Sequence, residues 1–184
     1  MHARHETRRA ISRVLAVKRD PEVPAEKAIL ELTACIEDLE RTRSVFYLAG
    51  ALAIRGTAFA RGMEDHVAAF RDWRIALRML ARSRRPSRRS LRLQAWIRVQ
   101  MAFHSEGPAR RRLYGLALRD YRAARHFPGI SMVLVHRGLE WKDYGDRRRA
   151  LRDLLKGLVI AREHHVPGVS ELRALIADAS AVTT

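Results

Sequence analysis

The residues of this chain best equipped for chemistry are its arginines. Positions 82 to 92 read RSRRPSRRSLR, six arginines in eleven positions, and guanidinium groups at that density repel one another unless an anion neutralises them. The cluster extends backwards along a helical stretch, where Arg71, Arg74, Arg78 and Arg82 recur at three- and four-residue steps opposite an apolar side of Val67, Phe70, Trp73, Leu77 and Leu80. Forwards it continues through Arg84, Arg85, Arg88, Arg89 and Arg92, and Arg110, Arg111 and Arg112 begin a later helix. Residues 71–125 hold 16 basic and 3 acidic residues, so most of the chain's net charge of +16 sits in its middle. A general preference for arginine explains why only four of the 36 basic residues are lysine, but it does not explain the clustering. The planar guanidinium fork suits carboxylate and phosphate oxygens. Two partners therefore fit: an acidic protein surface, or a nucleic-acid phosphate backbone contacted through 71–92 and 110–125 without reading of bases. Trp73, Trp96 and Tyr121 are needed for helix packing, which leaves no rings free to stack on single strands.

Catalytic constellations are missing from the sequence. It contains no glycine-rich phosphate loop, no H-E-x-x-H, no G-x-S-x-G and no zinc-ligand spacing. Adjacent His164 and His165 would point about 100° apart on a helix, an awkward pair for one metal. His104, His126 and His136 read as surface or hydrogen-bonded groups, and Glu140, Asp143 and Asp146 as capping and salt-bridging carboxylates around an arginine-rich turn. Cys35, the only cysteine, excludes an internal disulfide and a cysteine-based metal site and reads as a small buried hydrophobe. The expectation is a protein that is not an enzyme and needs no metal or cofactor. No apolar run reaches the ~18 residues of a membrane span, and the N-terminal stretch has no secretory core, so a cytoplasmic protein without membrane attachment is expected.

Strand signals are almost absent, whereas helical periodicity runs throughout. Glycine and proline divide the chain into nine expected helices at 3–18, 24–41, 43–62, 64–83, 88–105, 108–126, 129–144, 146–165 and 169–180. The fold class is all-α, and connections this short place consecutive helices antiparallel.

Three segments then share one pattern. The first runs Leu52, Arg55, Gly56, Phe59, then Ala69, Trp73, Ala76 and Leu77. The second runs Trp96, Val99, Gln100, Phe103, then Ala117, Tyr121 and Ala124. The third runs Leu134, Arg137, Gly138, Trp141, then Ala150, Leu154, Gly157 and Leu158. Small residues allow two helices to approach and rings fill the space beyond them. This pattern resembles the tetratricopeptide repeat, with Arg55 and Arg137 standing where that signature has a leucine and Gln100 where it has a glycine.

The resemblance implies a right-handed α-solenoid of about four helical hairpins plus a C-terminal capping helix: an N-terminal hairpin over 1–42, repeats over 43–167, and the cap and tail over 168–184. It also implies a non-enzymatic adaptor that holds an acidic or amphipathic protein segment in a concave groove. Groove spacing carries over to Ala53, Thr57, Ala60 and Arg61, to Ile97, Arg98, Met101 and His104, and to Val135, His136, Leu139 and Lys142. Val135 and Leu139 occupy places where members that clamp a C-terminal carboxylate have polar side chains, so that clamp is not expected. The stretch IAREHHVPGVSELRALI has the outline of a DNA-binding helix-turn-helix, but His165 replaces the turn glycine and Leu172 falls one place late.

Overall fold

The computed structural model describes residues 2–20, 22–42 and 44–180, with side chains from Thr7 onward. Within them lie nine helices and no strand: α1 (His2–Arg19), α2 (Ala25–Arg41), α3 (Val45–Gly62), α4 (His66–Ala81), α5 (Arg88–Phe103), α6 (Gly107–Ala123), α7 (Phe127–Asp143), α8 (Arg147–Glu163) and α9 (Val169–Ser180). Each packs chiefly on its neighbours in sequence. The helices form two compact units, Met1–Pro86 with α1–α4 and Ser87–Thr184 with α5–α9. The division at Pro86 falls inside the stretch 43–167 that the resemblance assigns to the repeats.

Boundaries follow from local chemistry. The side chains of Asp65, Ser87 and Asp146 accept the backbone N–H groups of Ala68, Ser90 and Arg149, capping α4, α5 and α8. His126 does the same for α7, its Nδ1 accepting the Gly129 N–H at 3.1 Å. At the other end, α3, α6, α7 and α8 stop alike. One residue turns left-handed (Glu64, Arg125, Gly145 and His165), and the next N–H returns to a carbonyl in the last turn, as from Asp146 to Trp141 and from Val166 to Ala161. Only one of these four positions is glycine. The sequence therefore places the end of α6 near 126, whereas Arg125 ends it at Ala123 and frees His126 to cap the next helix.

In the first unit, α3 and α4 meet through Gly56. A Cβ there would lie 2.8 Å from Trp73 Nε1 and 3.0 Å from the Ala69 carbonyl. Trp73 is fully buried and its Nε1–H donates to the Ala53 carbonyl at 3.1 Å. In the second unit Gly138 plays the same part between α7 and α8, where a Cβ would meet Leu154 at 2.8 Å and the Ala150 carbonyl at 3.2 Å. The expected small-against-large pairs at these two crossings are present.

A feature absent from the sequence expectations ties the same helix pairs together. Arg55 grips buried Asp72 with two hydrogen bonds, Nε to Oδ2 at 2.7 Å and Nη2 to Oδ1 at 3.1 Å, while its Nη1 donates to Thr33 Oγ1 on α2. Arg137 grips Asp153 in the same way, at 2.7 and 3.0 Å. Arg98 pairs with Asp120 between α5 and α6. The three carboxylates are 0, 1 and 4% exposed for Asp72, Asp153 and Asp120, so they are charges that need these partners. The arginines that replace the expected leucine are thus matched by an aspartate on the following helix.

Candidate binding surfaces

Among the described residues, no group of three or more His, Cys, Asp or Glu side chains could hold a metal ion. Nor, among the described residues, is any helix long and apolar enough to cross a membrane. Cys35 is fully buried as a free thiol, and burial raises its pKa. Two of the carboxylates around the α7–α8 turn serve structure: Asp146 caps α8 and pairs with Arg149, while Glu140 pairs with Arg110 at 2.8 Å and Arg111 at 3.7 Å. His164 stacks on Phe127.

The residues read as a groove divide sharply. Arg61 is exposed at the end of α3. Ile97 is fully buried and Met101 is 7% exposed, so these two are interior packing residues. The guanidinium of Arg98 is held by Asp120, and burial lowers its pKa against the pull of that carboxylate. His104 and Leu139 are half-buried. His136 sits edge-on to Phe103 at 4.9 Å and nearly parallel to Tyr114, and burial lowers its pKa. Val135 packs into the cluster that joins α9 to α8, and Lys142 pairs with Asp178 of α9. The C-terminal helix thus takes up part of the face assigned to a partner, because its buried Leu172 and Ala179 need an apolar surface to cover them. Beside them an open cleft of about 250 Å³ remains, lined mainly by Met132, Val135, His136, Val166, Leu172 and Leu175.

The arginine set divides as well. Arg110 and Arg111 are matched by Glu140, and Arg111 also lies over the rings of Trp141 and Tyr144 at 5.1 and 4.7 Å. The two guanidinium groups thus share one carboxylate 29 or 30 residues later, a contact within the fold that the sequence did not suggest. Arg112 is exposed. Arg71, Arg74, Arg78, Arg82, Arg84 and Arg85 are all exposed in the first unit, as are Arg88, Arg89 and Arg92 at the start of α5 in the second.

No family model, curated protein or solved structure matches this chain. Function must therefore be argued from the surfaces themselves.

The histidines of the second unit carry a pH prediction. Burial, with a contribution from Arg92, holds the His126 pKa below its ordinary 6.5, and burial does the same to His136. A group whose folded pKa is depressed stabilises the fold above its unfolded pKa, and that contribution is lost as pH falls. Stability should be level above about pH 6.5 and decline below it as both rings protonate. Protonation would also remove the Nδ1 acceptor that caps α7. Chemical denaturation between pH 7.5 and 5 should show the decline, and His126→Asn, which keeps a capping acceptor, should reduce it to the part that His136 contributes.

Proposed function

We propose that this chain is a non-enzymatic adaptor of the tetratricopeptide kind, a right-handed stack of hairpins capped by α9, which holds an acidic or amphipathic protein segment. The observation that carries the reading is the open apolar cleft between α7 and α9. Its rim residues Met132, Val135, His136 and Leu175 are half-buried, neither packed away nor fully wetted. A cleft of this size accepts one or two apolar side chains of a bound helix or extended segment. The surrounding unit has 19 basic and 9 acidic residues, so a segment carrying carboxylates beside its apolar anchors has the complementary charge. His136 is held toward its neutral form by burial and adds a hydrogen-bonding group without adding charge. The free, buried thiol of Cys35 suits a reducing, cytoplasmic setting.

The test uses a fluorescent synthetic helix with leucines at four-residue spacing flanked by glutamates. It should bind the whole chain at least tenfold more tightly than a scrambled peptide of equal charge. Met132→Asp, with its fold checked by circular dichroism, should remove that preference. Equal affinity for both peptides, or an unchanged preference in the variant, would refute the adaptor reading.

A further inference from the structure

The outer face of α4 lies in the first unit, apart from the cleft, and has a different composition. At about 100° per residue, Arg71, Arg74, Arg78 and Arg82 fall within an arc of about 80° and run about 16 Å along the axis. Arg84 and Arg85 follow directly and are exposed. The opposite face of α4 is buried through Ala69, Trp73, Ala76 and Leu80, which fixes the direction of the arginine row. Arg71 is 65% exposed and lies 3.8 Å from Asp72, whose two oxygens are already bound by Arg55. Arg74 rests over the Phe70 ring at 5.7 Å. Among the described residues no carboxylate pairs with Arg78, Arg82, Arg84 or Arg85. The row is thus rigidly mounted, uncompensated and open to water.

We propose that this row binds the phosphate backbone of duplex nucleic acid without reading its sequence. The inference goes beyond the adaptor reading, since it concerns a different unit, surface and partner. Three observations select the occupant. A protein partner would need apolar anchors at the centre of the contact; Val67, which its spacing had placed on the apolar side, is instead 84% exposed on this arc, but it lies at the N-terminal end, beyond the arginines. A single strand would need rings to stack on, and Trp73 is buried while Phe70 is half-covered beneath Arg74. A second copy of this chain carries +16 itself and cannot neutralise the row. A duplex backbone asks only for cations at intervals along a line, and the row spans about five base-pair steps of 3.4 Å.

The experiment measures fluorescence anisotropy of a labelled 20-base-pair DNA duplex of arbitrary sequence with the whole chain, against an oligo-dT strand and polyglutamate. The duplex should bind irrespective of sequence and more tightly than either competitor. If the four α4 arginines each neutralise one phosphate, the slope of log K against log salt should be about −3.6, or about 150-fold weaker binding at 200 mM than at 50 mM salt. The variant R71E/R74E/R78E/R82E should lose binding at 100 mM salt. R122E/R148E/R162E/R173E, with the same charge change at exposed positions of the other unit, should bind within about threefold of wild type. Should the first variant fail to fold, R78A/R82A should still reduce the slope by about 1.8. Equal loss in both charge-reversed variants would overturn the proposal in favour of net charge alone. Preference for polyglutamate would overturn it in favour of an acidic protein, and preference for oligo-dT in favour of a single strand.

Discussion

Asp153→Ala should lower the stability of the α7–α8 region by about 3–5 kcal/mol, the usual cost of stranding one member of a buried ion pair. Asp153 is 1% exposed and receives two hydrogen bonds from Arg137, whose side chain is itself only 21% exposed. Removing the carboxylate leaves a guanidinium out of water with no partner. The companion variant separates the pair from the packing around it. Arg137→Leu combined with Asp153→Leu should return stability to within about 1–2 kcal/mol of wild type, because an apolar pair of similar bulk needs no desolvation of charge. Urea titrations followed by circular dichroism, with Trp141 fluorescence as a local reporter, measure both. A loss below about 1 kcal/mol for Asp153→Ala would mean that the pair behaves as an exposed salt bridge.

The second large effect is expected at the α3–α4 crossing. Trp73→Ala should cost about 3–5 kcal/mol, since it empties a fully buried site and leaves the Ala53 carbonyl without its indole donor. Gly56→Ala alone should also destabilise, by about 1–3 kcal/mol, because the new Cβ would press on the indole and on the Ala69 carbonyl. The two should not add. With the indole gone most of the clash disappears, and alanine is about 1 kcal/mol better than glycine inside a helix. Gly56→Ala in the Trp73→Ala background should therefore be close to neutral. A thermal-melt cycle over the four proteins reads the coupling, and strict additivity would show that Gly56 and Trp73 do not share one packing site.

How much of this architecture was readable in advance differs from element to element. All nine helices were anticipated, with every end within three residues of the observed one, because punctuation by Pro24, Pro86, Pro108 and Gly145 acts through local backbone geometry. The pairs Gly56 with Trp73 and Gly138 with Leu154 were legible for the same reason: size alternation on facing helices is written at fixed spacing. The ion pairs were not. Arg55, Arg98 and Arg137 looked like departures from the repeat pattern or free cations, although the triplets Arg71-Asp72-Trp73, Arg119-Asp120-Tyr121 and Arg152-Asp153-Leu154 place an aspartate beside each packing residue. That recurrence was the available signal. Its partner lies 16 to 22 residues earlier on another helix, and a charge does not state in sequence whether it faces water or a carboxylate.

The surfaces divide in the same way. The exposure of Arg71, Arg74, Arg78 and Arg82 follows from their position opposite an apolar helix face, so the row was determined by the order of residues alone. Contacts distant in sequence decided the rest. Ile97 and Met101 became interior, Arg110 and Arg111 were matched to Glu140, and Val135 and Lys142 were claimed by α9. Sequence determines which face of a helix is wet when the alternatives are core and solvent, because periodicity encodes that choice. Whether a polar or half-apolar residue meets water or another helix depends on where that second helix packs, and only the tertiary structure decides it.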